Sequence, residues 1–437
     1  MKILFVVHAA PWAEFSGTPL ITGQYAQRAM ARGWDVALLV PDTAANHSRA
    51  PDIYDPVKLF YWPVQAEWNL NAFASPPSAR TTPPIEIDYA PDIIHIVDWV
   101  LMESSVLAAL GALNAPIVRQ VWNFEDICSV IEPIHRLPAG RPCVAPLNPR
   151  DCAECLLDRT NIAIQGEKHN FRSISAKLKA YGEAYIDRQS QSIATRKIVA
   201  RDHFSEIYNK VLFPTNSFFD YFDSHMKMSG DYEIVEHGVS VRNAVSTKKP
   251  HKGLNFIYAG GNAKRKGWSA IVQAFSRLYD EGFIDLHLRV YGAKAQTQNS
   301  ALSRYPNVQF CDPYNVDSMA NEFAWADIGL IPTQFETYCR IVREYMICGV
   351  VPIASRAFGI PDVVDHDYNG ILLDEPTGDQ LYGAIRKLVN NPQDIERLRA
   401  GCAATIITSP EAEFDRICSI YNDLRNNKAQ ILQISSK

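Results

Sequence analysis

The sequence predicts an α/β chain of two doubly wound parallel-sheet domains, and three observations predict it. Short β-branched runs alternate with amphipathic stretches over most of the length, the pattern of strands joined by crossover helices. A polar stretch from Asn243 to Gly253, with Lys248, Lys249 and Pro250, interrupts the alternation and has the composition of a linker. The 437 residues, 47% of them hydrophobic, supply apolar material for two or three cores.

Met1 to Ala10 carries one Lys before a short apolar run that meets Pro11 and Trp12 rather than a small-residue cleavage site. It reads as a buried first strand at Ile3 to Val7, not a secretory signal, which places the chain in the cytoplasm. Further strands are expected at Asp35 to Val40, Ile93 to Val97, Ile117 to Val121 and Lys197 to Ala200, with an amphipathic helix at Thr22 to Arg32. These make a first domain over 1–245. The second, 246–410, has strands at Asn255 to Ala259, Leu286 to Tyr291, Asp327 to Pro332 and Val350 to Ala354, and Pro410 to Gln433 reads as a final helix.

Lys plus Arg number 43 against 48 Asp plus Glu, a balance that argues against gripping nucleic acid over the whole surface. No run of 18 apolar residues is present to span a bilayer. From Arg159 to Arg201 nine basic residues face three acidic ones, and Phe171, Ile174, Leu178, Tyr181 and Tyr185 share one helical face. That stretch, 159–201, is either a helix packed on its own domain or a peripheral contact with anionic lipid or an acidic acceptor.

Two carboxylates, Glu336 and Glu344, stand eight residues apart. A helix throughout would separate them by about 12 Å, and an extended entry lengthens that. The span suits a sugar and a ribose flanking a diphosphate, because carboxylates accept from vicinal hydroxyls and free N–H groups at a helix start favour phosphates. Spacing alone favours the plainer reading, two surface acids paired with Arg340 and Arg343. A second element is a strand at Phe256 to Ala259, a loop Gly260-Gly261-Asn262-Ala263-Lys264-Arg265-Lys266-Gly267 and an amphipathic stretch from Trp268 to Tyr279. Glycines admit close approach of backbone to an anion, and the cations offset the charge of a departing diphosphate. The loop fits neither the Walker pattern nor the dinucleotide fingerprint. Val290-Tyr291-Gly292 is a strand end where a base could lie against backbone.

In this order and spacing the three pieces resemble the donor half of retaining GT-B glycosyltransferases of the group 1, or family-four, class. Gly260 to Gly267 aligns with that family's Gly-Arg-x-x-x-x-Lys-Gly loop, and Glu336 and Glu344 with its Glu-x7-Glu motif. Ala326 to Pro332, Gly359-Ile360-Pro361-Asp362, Asn369-Gly370 and His237-Gly238-Val239 extend the resemblance. It implies two Rossmann-like domains facing a cleft, with the final helix (411–437) crossing back to the first. It also implies that Lys266, with Arg265, holds the diphosphate, Glu336 the sugar hydroxyls and Glu344 the ribose. Gly17, Gly260, Gly261, Tyr291, Gly292, Thr337, Tyr338, Cys339 and Arg340 would complete the donor site. The implied donor is a UDP- or GDP-sugar and the acceptor a saccharide or lipid-linked glycan. Transfer would occur with retention by front-face displacement, without a catalytic metal, since no Asp-x-Asp motif accompanies the loop.

The departures from the family pattern lie at the site itself. Gly261 replaces the loop Arg, Tyr338-Cys339 replaces Phe-Gly, and Thr18 replaces the second Gly of the first-domain loop Phe15 to Pro19. Where relatives have His-Asp, this chain has Asn123-Phe124-Glu125-Asp126, so Asn123, Glu125 or Asp126 either replaces the missing hydrogen bond or is structural. These departures leave open a nucleotide-binding scaffold without turnover, and an inverting transfer or epimerisation on the same fold. Trp12, Trp62 and Trp68 stand in loop-like sequence where an exposed ring could stack on an acceptor sugar. His8 and His95 read as core histidines satisfied by backbone. Cys128, Cys143, Cys152 and Cys155, in an insertion over about 128–160, could hold a structural zinc, remain free thiols, or form a disulfide or serve redox chemistry.

Overall fold

The structure is a computed structural model that describes residues 1–14, 17–64, 85–98, 104–128, 143, 148–155, 176–244, 248, 251–292, 294–314 and 318–435. Among the described residues two wholly parallel sheets organise the chain. The first runs β3-β2-β1-β4-β5-β6-β7, built from β1 (Lys2–Val6), β2 (Asp35–Pro41), β3 (Lys58–Trp62), β4 (Ile93–Ile96), β5 (Ile117–Gln120), β6 (Lys210–Phe213) and β7 (Tyr232–Ile234). The second runs β10-β9-β8-β11-β12-β13, built from β8 (Leu254–Tyr258), β9 (Leu286–Tyr291), β10 (Val308–Cys311), β11 (Ile328–Ile331), β12 (Val351–Ser355) and β13 (Ile371–Leu373).

The central strands are buried on both faces, which is why they read as unbroken apolar runs. On β1 and the residue after it, Ile3, Phe5 and Val7 enter one core while Leu4 and Val6 enter the other. Phe256 and Tyr258 on β8 face away from Ile257 in the same way. In each sheet the strand order reverses direction once, between β1 and β4 and between β8 and β11. Such switch points open a crevice at the carboxyl ends of the strands.

The final helix, Pro410–Ser435, packs on the first sheet rather than the second. Phe414, Ile417, Ile420 and Tyr421 are buried with Ile3, Phe5 and Tyr25. Arg28 pairs with Glu411 at 2.9 Å, Arg32 pairs with Asp415, and the Tyr25 hydroxyl donates to Glu413. His95 is fully buried, but its partner is a side chain of this helix and not backbone: Nδ1 lies 2.5 Å from the Tyr421 hydroxyl. Burial holds its pKa down at about 3, so the ring is neutral.

Two expectations are corrected. Lys197 to Ala200 is not a strand but part of the helix Ala176–Glu206, because Ile186, Ile193 and Phe204 recur on one buried helical face and the strand beside β5 is supplied by β6 instead. Ile186, Ile193 and Phe204 thus turn toward the helix's own domain while Ile198 stays exposed; Phe171 and Ile174 lie outside the described residues, as do the side chains of Leu178 and Tyr181. Trp62 is a core residue of β3 with no exposed face, and Trp68 lies outside the described residues. Among the described residues no helix is long and apolar enough to cross a membrane.

Candidate active site

The loop after β8 and the segment after β11 meet across the switch point of the second sheet. From Tyr258 the chain passes Ala259 to Ala263, makes a 3-10 turn at Lys264–Lys266 and enters the helix Trp268–Asp280 through Gly267. Gly267 has φ +79°, and a Cβ there would lie 1.8 Å from the Pro332 carbonyl oxygen. Only glycine lets this loop lie on the end of β11. The Arg265 carbonyl then accepts from the Gln334 N–H at 2.7 Å and the Thr333 hydroxyl at 3.0 Å, which locks the two segments together. Across that junction the Lys266 ammonium pairs directly with the Glu336 carboxylate, with both side chains partly open to solvent. The Arg265 guanidinium lies 5.8 Å from the centroid of the Phe335 ring.

Glu336 and Glu344 do not share one helix. The helix is Arg340–Ile347, and Glu336 belongs to the non-helical approach. Glu344 is buried and accepts from Arg340 Nε at 2.7 Å, so this acid does pair with the arginine that spacing alone suggested. The turn into the helix is made by Cys339 in the left-handed region, φ 58° and ψ 68°. That is a conformation suited to the glycine found there in the family pattern and costly for a residue with a Cβ. The Cys339 thiol is buried, and desolvation pushes its pKa up to about 12. Thr337 presents its carbonyl to the Thr215 hydroxyl at 3.1 Å, binding the approach to the first domain. Tyr338 is buried with Arg343 stacked 3.7 Å from its ring centroid.

Beside the glycine loop a cavity of about 360 Å³ is lined by Ala259 to Ala263, Tyr291, Gly292, Pro313 and Tyr314. Gly260, Gly261, Tyr291 and Gly292 are thus brought together, and the Tyr314 ring stands edge-on to Tyr291 with centroids 5.2 Å apart. Pro313 and Tyr314 were not foreseen. Recognising Val308–Cys311 as a strand would have exposed them, because the residues after it must then fall at the cleft end of the sheet. Gly17 opens the helix Gly17–Ala31 with φ +54° and nothing within 4 Å of a built Cβ, while Phe15 and Ser16 before it lie outside the described residues.

On the first domain several expected contacts turn inward. Trp12 is 7% exposed, its indole N–H donates to the Ser48 carbonyl at 3.1 Å and its ring meets Tyr54, so it packs in the core and offers no stacking platform. Asn123 caps a local turn, accepting from the Glu125 N–H at 3.0 Å. Glu125 and Asp126 are buried, and Asp126 faces the buried Arg119 at 3.7 Å. Their neighbour Phe124 makes the contact with the donor side, edge-on to Phe335 at 5.9 Å. Cys128, Cys143, Cys152 and Cys155 are free thiols, and among the described residues no three His, Cys, Asp or Glu side chains form a group that could hold a metal. Cys143 stands close enough to Cys152 and Cys155 to interact with them electrostatically. The Lys197 ammonium interacts electrostatically with Cys152, Cys128 and Cys143, and a cation in that place disfavours a second one.

The class that this fold and site define is a GT-B protein, two Rossmann-like domains facing a cleft. Residues 242–404 match the model of the family described as glycosyl transferases group 1. The chain is 27% identical over 224 residues to a GDP-mannose-dependent alpha-mannosyltransferase of Corynebacterium glutamicum, an alignment covering 47% of this chain and 51% of that protein. The chain thus spans about half the length of this curated relative. Among solved structures it resembles sucrose-phosphate synthase from Thermosynechococcus elongatus, with TM-score 0.63 and 14% identity over 97% of this chain and 98% of that one. It also resembles Anabaena HepE in complex with UDP and glucose, with TM-score 0.60 and 12% identity over 97% and 99%. Residues 242–404, the stretch that carries the candidate donor loop and both acids, are thus similar to the group 1 glycosyl transferases.

Proposed function

We propose that the chain is a retaining glycosyltransferase that moves a sugar from a nucleoside-diphosphate sugar to an acceptor hydroxyl, with the second domain holding the donor and the first the acceptor. The observation that carries this reading is the Lys266–Glu336 pair across the switch point of the second sheet, beside the glycine-lined cavity. Without donor the two charges neutralise each other and hold each other in place. A bound diphosphate takes the Lys266 ammonium, and the freed Glu336 carboxylate accepts from hydroxyls of the transferring sugar. Arg265 and the first N–H groups of the helix Trp268–Asp280 add positive potential where charge develops on the leaving diphosphate. Glu344, oriented by Arg340, receives the ribose hydroxyls, and the base lies along Tyr291 and Gly292 toward Tyr314.

The named relatives support a donor of the UDP or GDP class, one being GDP-mannose-dependent and another solved with UDP and glucose. A saccharide or a lipid-linked saccharide suits the acceptor side. Incubation with GDP-mannose, UDP-glucose and related donors, followed by NMR of the product anomeric centre, tests the reading. Donor consumption with retained configuration is expected. An inverted product would contradict the retaining mechanism, and nucleotide binding without consumption would leave a scaffold.

A further inference from the structure

The first sheet carries a polar pair at its own switch point, in the position that Lys266 and Glu336 occupy on the second. His8 follows β1 and Asp98 follows β4, two residues beyond each strand end. Asp98 is 1% exposed and accepts three hydrogen bonds: from the His8 backbone N–H at 3.1 Å, from His8 Nδ1 at 2.6 Å and from the Thr18 hydroxyl. An ionised carboxylate can only accept, so Nδ1 carries the proton and the ring is held with Nε2 turned outward. His8 is therefore not a core histidine satisfied by backbone. Its side chain is 20% exposed, and Nε2 faces Glu14 Oε2 at 3.3 Å, on a side chain 46% exposed.

The pair is on the cleft side. β1, β4 and β5 are successive neighbours, and the residues after β5 carry Phe124 to Phe335, next to Glu336. At about 4.8 Å per strand, Asp98 lies about 5 Å and His8 about 10 Å along the same carboxyl end of the sheet from β5, which carries that contact. A carboxylate that fixes the tautomer of an imidazole and leaves its far nitrogen at a cleft is suited to receive a hydroxyl.

We propose that His8 is the acceptor contact of this chain: Nε2 binds the nucleophilic hydroxyl of an alcohol or saccharide, Asp98 is the positioning residue behind it, and Glu14 sets the charge of the ring. The proposal rests on the transferase reading above. Among the described residues the charged groups facing the ring are Asp98 from the end of β4 and Glu14 from the turn after β1, with the neutral Thr18 from the first helix. Burial opposes the charged ring, but the hydrogen bond and charge of Asp98, with Glu14, outweigh it and raise its pKa to about 9. The protonated ring keeps Nε2–H on Glu14. The neutral ring can accept from the incoming hydroxyl, so turnover rises with pH through the titration of His8.

The test measures nucleoside-diphosphate release from GDP-mannose and UDP-glucose between about pH 6 and 10, a range spanning the ordinary and raised imidazole values. It is run with water alone in the acceptor place and with D-glucose, D-mannose or myo-inositol added. His8→Gln and Asp98→Asn are expected to leave nucleotide affinity within about twofold and to lower release by about tenfold or more, the scale of a lost hydroxyl contact. Glu14→Gln is expected to move the rising limb to lower pH by about half a unit or more, raising release near neutrality. Release by His8→Gln at the wild-type rate would overturn the proposal, as would an unmoved limb in Glu14→Gln or nucleotide affinity lost together with release in His8→Gln. A wild-type chain that binds nucleotide yet consumes donor with no probe, water included, also overturns it. A wild-type chain that binds no nucleotide fails the transferase reading itself.

Discussion

Tyr338, in the donor loop, donates its hydroxyl hydrogen to the carbonyl of His237, where the chain leaves the first domain. The His237 ring is in turn held by Glu413 of the final helix at 3.0 Å, and Glu413 also accepts from the Gly238 N–H at 2.8 Å and from Tyr25. One hydroxyl thus ties the approach to Glu344 to the point where both interdomain crossings converge.

Tyr338→Phe removes that hydroxyl and leaves the ring stacked on Arg343. The buried His237 carbonyl loses a donor, so stability should fall by about 1–2 kcal/mol in urea unfolding, and nucleotide affinity should weaken several-fold as the donor loop loses its anchor. Unchanged affinity with lowered stability would restrict the bond to a structural role.

Cys339 should tolerate glycine and reject branched residues. Cys339→Gly relieves left-handed strain of about 1 kcal/mol against the loss of one small buried side chain, a net change near zero. Cys339→Val forces a β-branched residue into the same backbone and should cost about 2 kcal/mol or more in urea midpoint analysis. With its pKa pushed up to about 12 by burial, the native thiol should also resist alkylation at neutral pH, read by mass spectrometry.

Much of this site was legible in the sequence, and the reasons it was not fully so are physical. The β8 loop and the acidic pair stood out by their joint resemblance to a family pattern, because a glycine turn or two acids at fixed spacing are each compatible with an ordinary surface. The central strands were visible as apolar runs, whereas the edge strands β3, β7 and β10 were missed because they bury too little to impose a pattern, and the buried β6 because four residues are too short to show one. Lys197 to Ala200 looked like a strand because four residues cannot show helical period. His8 was misread because its partner stands 90 residues away on another strand, a proximity created by the switch point alone. Trp12 was taken as a possible platform because neighbouring Pro suggests a loop, yet that loop folds over Ser48 and Tyr54.

Two histidines make stability depend on pH in opposite directions. His8 has its folded pKa raised from the ordinary 6.5 to about 9, so its contribution is fully present below about 6.5 and is lost as pH rises through 9. His95 has its folded pKa lowered to about 3, so its contribution is present above about 6.5 and is lost as pH falls toward 3. Stability by urea unfolding should therefore peak between pH 6 and 7. His8→Gln should flatten the alkaline side and leave the acid side in place.

The central claim is that Lys266 and Glu336 form a diphosphate-sugar site, and calorimetric titration of UDP, GDP, ADP and CMP into wild type and Lys266→Ala tests it most directly. The account predicts selective binding of one nucleoside diphosphate and a weakening of about 10- to 100-fold in Lys266→Ala, the scale of a lost charge-assisted contact. Equal affinity in the two proteins, or no nucleotide binding to wild type, would contradict it.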